Sequence, residues 1–176
     1  MRIISGKAKG HKIAVPTGLD VRPTLDRVKE AVFSILYPHL RDAKVLDLFA
    51  GAGSLGMEAL SRGAQVCHFV DNNRKSFDCV MKNLKDTGFD ELSVCHFMSF
   101  DKFLSQTNEK FNLVFLDPPY SMGFEDKAFE KIADVLEDDA RIMLETEYEP
   151  KEYEGFESVK RARYGRVYIT IYKKVA

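Results

Sequence analysis

Short apolar runs along the chain alternate with segments whose apolar positions recur every three or four residues. The runs predict strands and the periodic segments predict helices. The predicted strands cover residues 45–48, 65–70, 92–97, 111–116 and 141–144. This alternation is typical of a doubly wound α/β fold with a mostly parallel sheet, in which ligands bind at the carboxyl ends of the strands.

The predicted helices have amphipathic patterns. The first begins at Arg22-Pro23-Thr24, with Thr24 as its N-cap, and ends at Tyr37-Pro38. Others cover residues 54–62 and 74–85, and a short one surrounds Phe103. The last predicted helix has an apolar stripe formed by Phe129, Ile132, Ala133 and Leu136.

Both ends of the chain depart from this pattern. Residues 2–15 alternate loosely around a turn at residues 6–10, which predicts a short basic β-hairpin. We treat residues 1–20 as an appendage and residues 21–176 as one domain. Residues 157–161 and 167–173 flank a turn at Tyr164-Gly165, which predicts a closing antiparallel hairpin.

Composition excludes several classes of protein. Of 176 residues, 45% are hydrophobic and 30% charged, and no apolar run is long enough to span a membrane. The first residues lack the apolar core of a signal peptide, so we expect a cytoplasmic protein. We also expect a monomer. The three cysteines and four histidines are scattered, which gives no support for a metal site.

Charge is unevenly distributed, although the net charge is only −1. The first nineteen residues contain no acid, and neither do residues 158–176. Basic patches of this kind bind phosphates. The basic residues are Arg2, Lys7, Lys9 and Lys12 at the amino end, and Lys160, Arg161, Arg163, Arg166, Lys173 and Lys174 at the carboxyl end.

The strongest local motif follows the first predicted strand. Asp47 ends an apolar run, and Gly51, Gly53 and Gly56 then form a turn and the start of a helix. Gly51 and Gly53 can adopt positive φ and turn N–H groups toward a ligand, while Gly56 allows the helix to pack closely on a strand. This arrangement predicts a nucleotide-type pocket.

Two ligands fit this motif. The glycine spacing satisfies a dinucleotide fingerprint, and Asp71 lies 20 residues after Gly51, where an acid would bind ribose hydroxyls. Asp47 would repel a pyrophosphate but would bind the ammonium group of S-adenosylmethionine, whose carboxylate would lie at the helix N-terminus. The alternative for Asp47 is a structural cap of the following turn.

A second motif, Asp117-Pro118-Pro119-Tyr120, follows the fourth predicted strand. Because parallel strands end at the same edge of a sheet, we expect both motifs to line one cleft. The Asp117 carboxylate and the Pro118 carbonyl could accept both hydrogens of an exocyclic amine, while Tyr120 stacks on the base. The alternative is a proline turn with a core tyrosine.

These motifs resemble class I methyltransferases that act on exocyclic amines. Arg22-Pro23-Thr24 with Asp26-Arg27-Val28, the segment from Asp47 to Gly63-Ala64, and the Asp-Pro-Pro-Tyr motif are together similar to the bacterial RsmD family. That resemblance covers nearly the whole chain. It implies a Rossmann-like methyltransferase that modifies N2 of a guanine in small-subunit (16S) ribosomal RNA with S-adenosylmethionine, either in naked RNA or in an assembled particle.

The resemblance also implies roles for particular residues. Asp117, Pro118, Pro119 and Tyr120 would be catalytic. The cofactor would contact Asp47, Phe49, Ala50, Gly51, Gly53, Ser54, Asp71, Asn72, Ser99 and Phe100. RNA would contact Arg2, Lys7, Lys9, Lys12, Arg22, Thr24 and Arg27.

Two positions depart from the family pattern, and Arg27 has an alternative. Ser99 stands where an acid would bind the adenine amine, and Asp71 stands where a glutamate is frequent. Arg27 could instead pair with Asp26 or Glu30 on the helix surface. Two other functions remain open from the sequence: a nicotinamide-dependent oxidoreductase and a noncatalytic RNA-binding module.

Overall fold

The computed structural model describes residues 1–17 and 26–175, and within them the chain forms a seven-stranded sheet. Its strand order is β3-β2-β1-β4-β5-β7-β6; the first five strands are parallel, and β7 is antiparallel to both its neighbours. The strands are β1 Lys44–Asp47, β2 Val66–Asp71, β3 Ser93–Phe97, β4 Phe111–Leu116, β5 Leu136–Thr146, β6 Phe156–Tyr164 and β7 Val167–Lys174.

Helices cover both faces of the sheet, which confirms the predicted doubly wound fold. Successive strand residues face opposite sides: Val45 packs with the first three helices, and Leu46 packs with the last two. The helices are α1 Asp26–Leu36, α2 Ser54–Ser61, α3 Arg74–Thr87, α4 Phe100–Gln106 and α5 Phe124–Lys131. None of the helices in the described residues is long and apolar enough to cross a membrane.

The topology determines where a ligand can bind. β1 lies between β2 and β4, and Asp47 is in register with Phe69 on one side and Phe115 on the other. The chain order reverses at the junction of β1 and β4, and such switch points leave a crevice at the carboxyl ends of the strands. The two sequence motifs follow these two strands.

The amino-terminal hairpin packs on the body of the protein. Its strands form one antiparallel bridge, between Arg2 and Lys12, and the side chains of Ile3 and Ile13 are buried in the core. The turn binds the last turn of α2, where the Lys7 amide donates to the Ser61 carbonyl at 2.8 Å. The predicted boundary between residues 20 and 21 lies outside the described residues.

One prediction about the last helix and strand was wrong. Leu136 is not on the helix: α5 ends at Lys131, a 3₁₀ turn covers Ile132–Val135, and β5 begins at Leu136. Leu136 pairs with Phe111 of β4, beside an irregularity in the register. The three acidic residues 137–139 are exposed in this strand and are weak β-formers, so the sequence pattern concealed its first half.

Candidate active site

A cleft of about 710 Å³ opens where the first four strands end. Both sequence motifs line it, as we predicted from the parallel strands. The predicted cofactor and catalytic residues that line the cleft are Asp47, Phe49, Ala50, Gly51, Ser54, Asp71, Asn72, Ser99, Phe100, Asp117, Pro118, Pro119 and Tyr120. Gly53 is buried behind this wall, where a Cβ atom would lie 2.5 Å from Val80 Cγ2.

The glycine turn brings the backbone to the cleft. Gly51 and Gly53 have φ values of +56° and +84°, in the left-handed region that favours glycine. The prediction that their amides point toward a ligand was wrong, because the Gly51 amide donates to Asp71 Oδ2 at 2.9 Å and the Gly53 amide donates to the Ala50 carbonyl at 2.8 Å. Gly56 allows close packing as predicted, because a Cβ atom there would lie 2.3 Å from Phe69 Cε1 on β2.

Asp47 is a buried carboxylate in the wall of the cleft. Its Oδ2 accepts a hydrogen bond from the Gly56 amide at 3.0 Å, so Asp47 caps α2, which is the structural alternative for this residue. Burial raises the pKa of Asp47 to about 7; the nearby Asp71 charge adds to the rise, and the Gly56 hydrogen bond opposes it. A cationic ligand would stabilise the ionised form that the protein leaves poorly solvated.

Asp71 ends β2 and holds two turns together. Its Oδ2 accepts from Gly51, and its Oδ1 accepts from the Asn73 amide at 2.8 Å. A carboxylate has about four lone-pair sites, so each oxygen can accept a further hydrogen bond from a ligand hydroxyl. The next helix begins at this point, with the Asn73 side chain accepting from the Ser76 amide.

Three phenylalanine rings form an aromatic wall in the cleft. Phe49 lies 5.0 Å from Phe100 and 6.2 Å from Phe124, measured between ring centroids, and the Phe49 and Phe124 rings are nearly parallel. Flat apolar surfaces of this kind suit a purine or another aromatic ring. Phe124 carried no sequence signal, since it follows an irregular loop and begins α5.

The cleft also contains two charged residues that sequence reasoning missed. Asp101 lines the wall two positions after Ser99, whose side-chain hydrogen bond lowers the pKa of the Asp101 carboxyl. An acid therefore stands two residues after Ser99, the position at which the family pattern has one. Lys127 also lines the cleft, with its ammonium 5.9 Å from the Phe124 ring centroid.

The Asp-Pro-Pro-Tyr motif follows β4 directly. Asp117 and Tyr120 are half-buried, Pro118 is buried and Pro119 is exposed. Ser121 then adopts a φ of +64°, an uncommon value for a residue with a side chain. The two prolines and this left-handed residue fix the path of the loop, so the motif is stiff and contributes both an acid and an aromatic ring to the cleft.

The predicted RNA-binding residues that the structure describes lie in two places, and Lys12 is exposed opposite Arg2 in the hairpin. Arg2 lies near the cleft, which Met1 lines, and its guanidinium pairs with Asp26 at 2.8 Å. Arg27 is exposed in the first turn of α1. The exposed Lys7 and Lys9 lie beside the carboxyl end of α2, roughly 10 Å along the helix from its start at the cleft. Arg22 and Thr24 are outside the described residues.

Comparison with known proteins identifies the family. A model described as conserved hypothetical protein 95 matches residues 1–173. Ribosomal RNA small subunit methyltransferase D of Escherichia coli K12 is 38% identical over 151 residues, which cover 85% of this chain and 76% of the relative. The chain belongs to the RsmD family of methyltransferases. The methyltransferase D of Haemophilus influenzae is 37% identical over 153 residues, covering 84% of this chain and 79% of that relative.

Solved structures agree with membership of the RsmD family. The structure of the Escherichia coli protein yhhF has a TM-score of 0.89 at 35% identity and covers 99% of this chain and 97% of that chain. A tRNA m1G37 methyltransferase from M. jannaschii has a TM-score of 0.61 at 19% identity, covering 80% of this chain and 45% of that chain, and it shares the fold. The predicted class I methyltransferase fold is therefore confirmed.

Proposed function

We propose that this RsmD-family chain uses S-adenosylmethionine to methylate the exocyclic N2 of a guanine in small-subunit (16S) ribosomal RNA. The observation that carries the proposal is the charge of the cleft, whose described wall contains four carboxylates and one lysine. S-adenosylmethionine is cationic at its ammonium and sulfonium groups, so such a cleft attracts it. The carboxylates are Asp47, Asp71, Asp101 and Asp117.

The arrangement of these groups fits the parts of the cofactor. The buried Asp47 would bind the ammonium, and Ser54 at the start of α2 would bind the carboxylate. Asp71 would accept from the ribose hydroxyls, and Ser99 with Asp101 would accept from the adenine amine. When bound, the cofactor supplies an electrophilic methyl group. A dinucleotide fits less well, because its pyrophosphate would lie against Asp47.

The second motif supplies the site for the base. The Asp117 carboxylate and the Pro118 carbonyl would accept the two hydrogens of the guanine amine, and Tyr120 would stack on the ring. The nitrogen of such an amine is a poor nucleophile because its lone pair is delocalised. Fixing both hydrogens turns that lone pair toward the electrophile, so the protein contributes mainly geometry.

Basic groups at the same edge of the sheet as the cleft support an RNA substrate. Thr146 at the end of β5 pairs with Tyr168, so the turn between β6 and β7 lies at the same edge of the sheet as the catalytic motif. Arg163 and Arg166 are exposed at this turn, and the Arg163 guanidinium lies 5.2 Å from the Tyr168 ring centroid. With the amino-terminal hairpin, they would contact phosphates on either side of the target nucleotide.

The test is transfer of a labelled methyl group to RNA from a strain that lacks this gene. Naked small-subunit RNA and assembled small subunits would be tried in parallel, and the products digested and identified by mass. We expect N2-methylguanosine from at least one substrate. Label in another nucleoside would refute the guanine assignment. No transfer to either substrate, together with NADH binding in equilibrium dialysis, would favour the oxidoreductase alternative.

Asp117→Ala tests the amine-orienting role. We expect S-adenosylmethionine affinity to stay within about twofold, while single-turnover methylation slows by at least roughly 10², the loss typical of a positioned transition-state partner. Tyr120→Phe is the matched control, since it keeps the ring and should be mild. Methylation that survives Asp117→Ala within a few-fold would assign the motif to shaping the loop instead.

A further inference from the structure

The strongest feature outside the cleft is a buried ionic cluster beneath the start of α2. Lys29 of α1 is 2% exposed, and Glu58 of α2 is fully buried. The Lys29 ammonium lies 3.1 Å from Glu58 Oε1, and the Arg62 guanidinium lies 2.8 Å from Glu58 Oε2. Glu58 also accepts hydrogen bonds from the Ile4 and Ser5 amides, at 2.8 and 3.1 Å.

The three hydrogens of the Lys29 ammonium have three acceptors around them. Besides Glu58, the ammonium donates to the Arg2 carbonyl at 2.9 Å and to Ser54 Oγ at 2.8 Å. The lysine thereby connects the amino-terminal hairpin, α1 and the turn that borders the cleft. Burying an ammonium is costly, and burial lowers the pKa of Lys29 although Glu58 opposes the shift. A lysine that served only in a surface ion pair would not require such burial.

The contact with Ser54 determines the direction of its hydroxyl group. An ammonium can only donate, so Ser54 Oγ must be the acceptor in this hydrogen bond. The hydroxyl hydrogen must then point to a different acceptor, and Ser54 lines the cleft. We propose that Lys29 is a positioning residue that makes Ser54 a hydrogen-bond donor toward the carboxylate of the bound cofactor. This inference rests on the proposed S-adenosylmethionine site.

The test compares two ligands that differ only in that carboxylate. S-adenosylmethionine and decarboxylated S-adenosylmethionine share the ammonium, sulfonium, ribose and adenine, so the ratio of their affinities reports the carboxylate contact. The wild-type protein should prefer the complete cofactor by about tenfold or more, the usual value of a charge-assisted hydrogen bond. Calorimetry with each ligand measures this ratio.

Lys29→Met should reduce the ratio of the two affinities to within about twofold of one. Ser54→Ala should have the same effect. The double variant should lose no more than either single variant, because both changes remove the same contact. Arg62→Met is the matched control, because it removes the other cation beside Glu58 without touching Ser54, and its ratio should equal that of the wild type. A general loosening of the fold would weaken both ligands together and leave the ratio unchanged.

Lys29→Met leaves Glu58 with one cation, so it could fail to fold. The paired variant K29M/E58Q then removes both charges of the pair and leaves no donor at position 29, and Ser54→Ala removes the contact while both cations beside Glu58 stay in place. A wild-type ratio retained in a folded Lys29 variant overturns the inference. Failure of the wild-type protein to bind either ligand would instead overturn the proposed cofactor.

Discussion

Asp47→Asn should stabilise the ligand-free protein and weaken cofactor binding. The folded-state pKa of Asp47 is about 7, against an ordinary value of 3.8. Between these two pH values the folded protein therefore retains a proton that the unfolded chain has released. Stability from this group is therefore present at low pH and is lost as the pH rises from about 4 to about 7. The pH dependence of stability from Asp47 is therefore opposite in sign to that from an ion-paired aspartate, whose contribution is lost as the pH falls.

The magnitude follows from those two values. Between pH 5 and pH 8 the carboxyl should cost the wild-type protein about 2 to 3 kcal/mol of unfolding free energy, and asparagine removes this dependence. Urea unfolding of the wild-type and Asp47→Asn proteins between pH 5 and pH 8 measures the difference in their unfolding free energies. Any effect of the new amide that does not vary with pH cancels when the differences at two pH values are compared. Asp78→Asn on the exposed face of α3 is the control. A difference that does not vary with pH would refute the reasoning.

Cofactor binding should show the converse dependence. If only the ionised Asp47 binds the ammonium, S-adenosylmethionine affinity should be roughly fivefold weaker at pH 6 than at pH 7, the ratio that a pKa near 7 gives over a range in which the ligand ammonium stays mostly protonated. The asparagine variant should bind more weakly, with little dependence on pH in this range. Calorimetry on the wild-type protein measures the affinity for S-adenosylmethionine as a function of pH. An affinity that does not vary with pH would show that Asp47 does not bind the ammonium.

Two further predictions concern the amino-terminal hairpin. Gly10→Ala should lower the unfolding free energy by about 1 kcal/mol from its positive φ alone. Gly6→Ala should cost about 1 to 3 kcal/mol more, because its Cβ would lie 1.9 Å from the Ser61 carbonyl oxygen. Equal losses for the two variants in urea unfolding would contradict this clash. Replacing both Lys7 and Lys9 with glutamine should flatten the slope of the logarithm of the RNA association constant against log salt by roughly 1.5. The control Lys82→Gln should leave this slope unchanged. An unaltered slope in the double variant would mean that the hairpin has only a structural role.

The parts predictable from sequence were those governed by local pattern. The strand 111–116 has the same bounds in the structure, because five of its six residues are apolar and buried, on both faces of the sheet. The cleft followed from topology, since two motifs at the ends of parallel strands must share an edge. Gly56 was also predictable, because a glycine at that spacing has a packing role.

The rest depended on contacts distant in sequence. Lys29 looked like an ordinary helix lysine, and only the fold shows that Glu58, 29 residues later, lies beside it. Asp101 was missed because it lies in the first turn of α4 and not at the strand end, where an acid was expected. The first half of β5 was hidden by three exposed acids, residues 137–139, which lie in the register shift between the Leu136–Phe111 and Arg141–Leu113 pairs.

The charge distribution limits how RNA can approach the cleft. Four carboxylates line the described wall, and a phosphate that entered would meet repulsion in a partly desolvated site. A guanine base is uncharged and could enter, while its phosphates stay outside with Lys7, Lys9, Arg163 and Arg166. Such a division requires the target base to leave its stack, which costs least at a nucleotide that is already unpaired. In this proposal the acidic cleft therefore contributes to substrate choice: it binds a cationic cofactor and admits one extruded base.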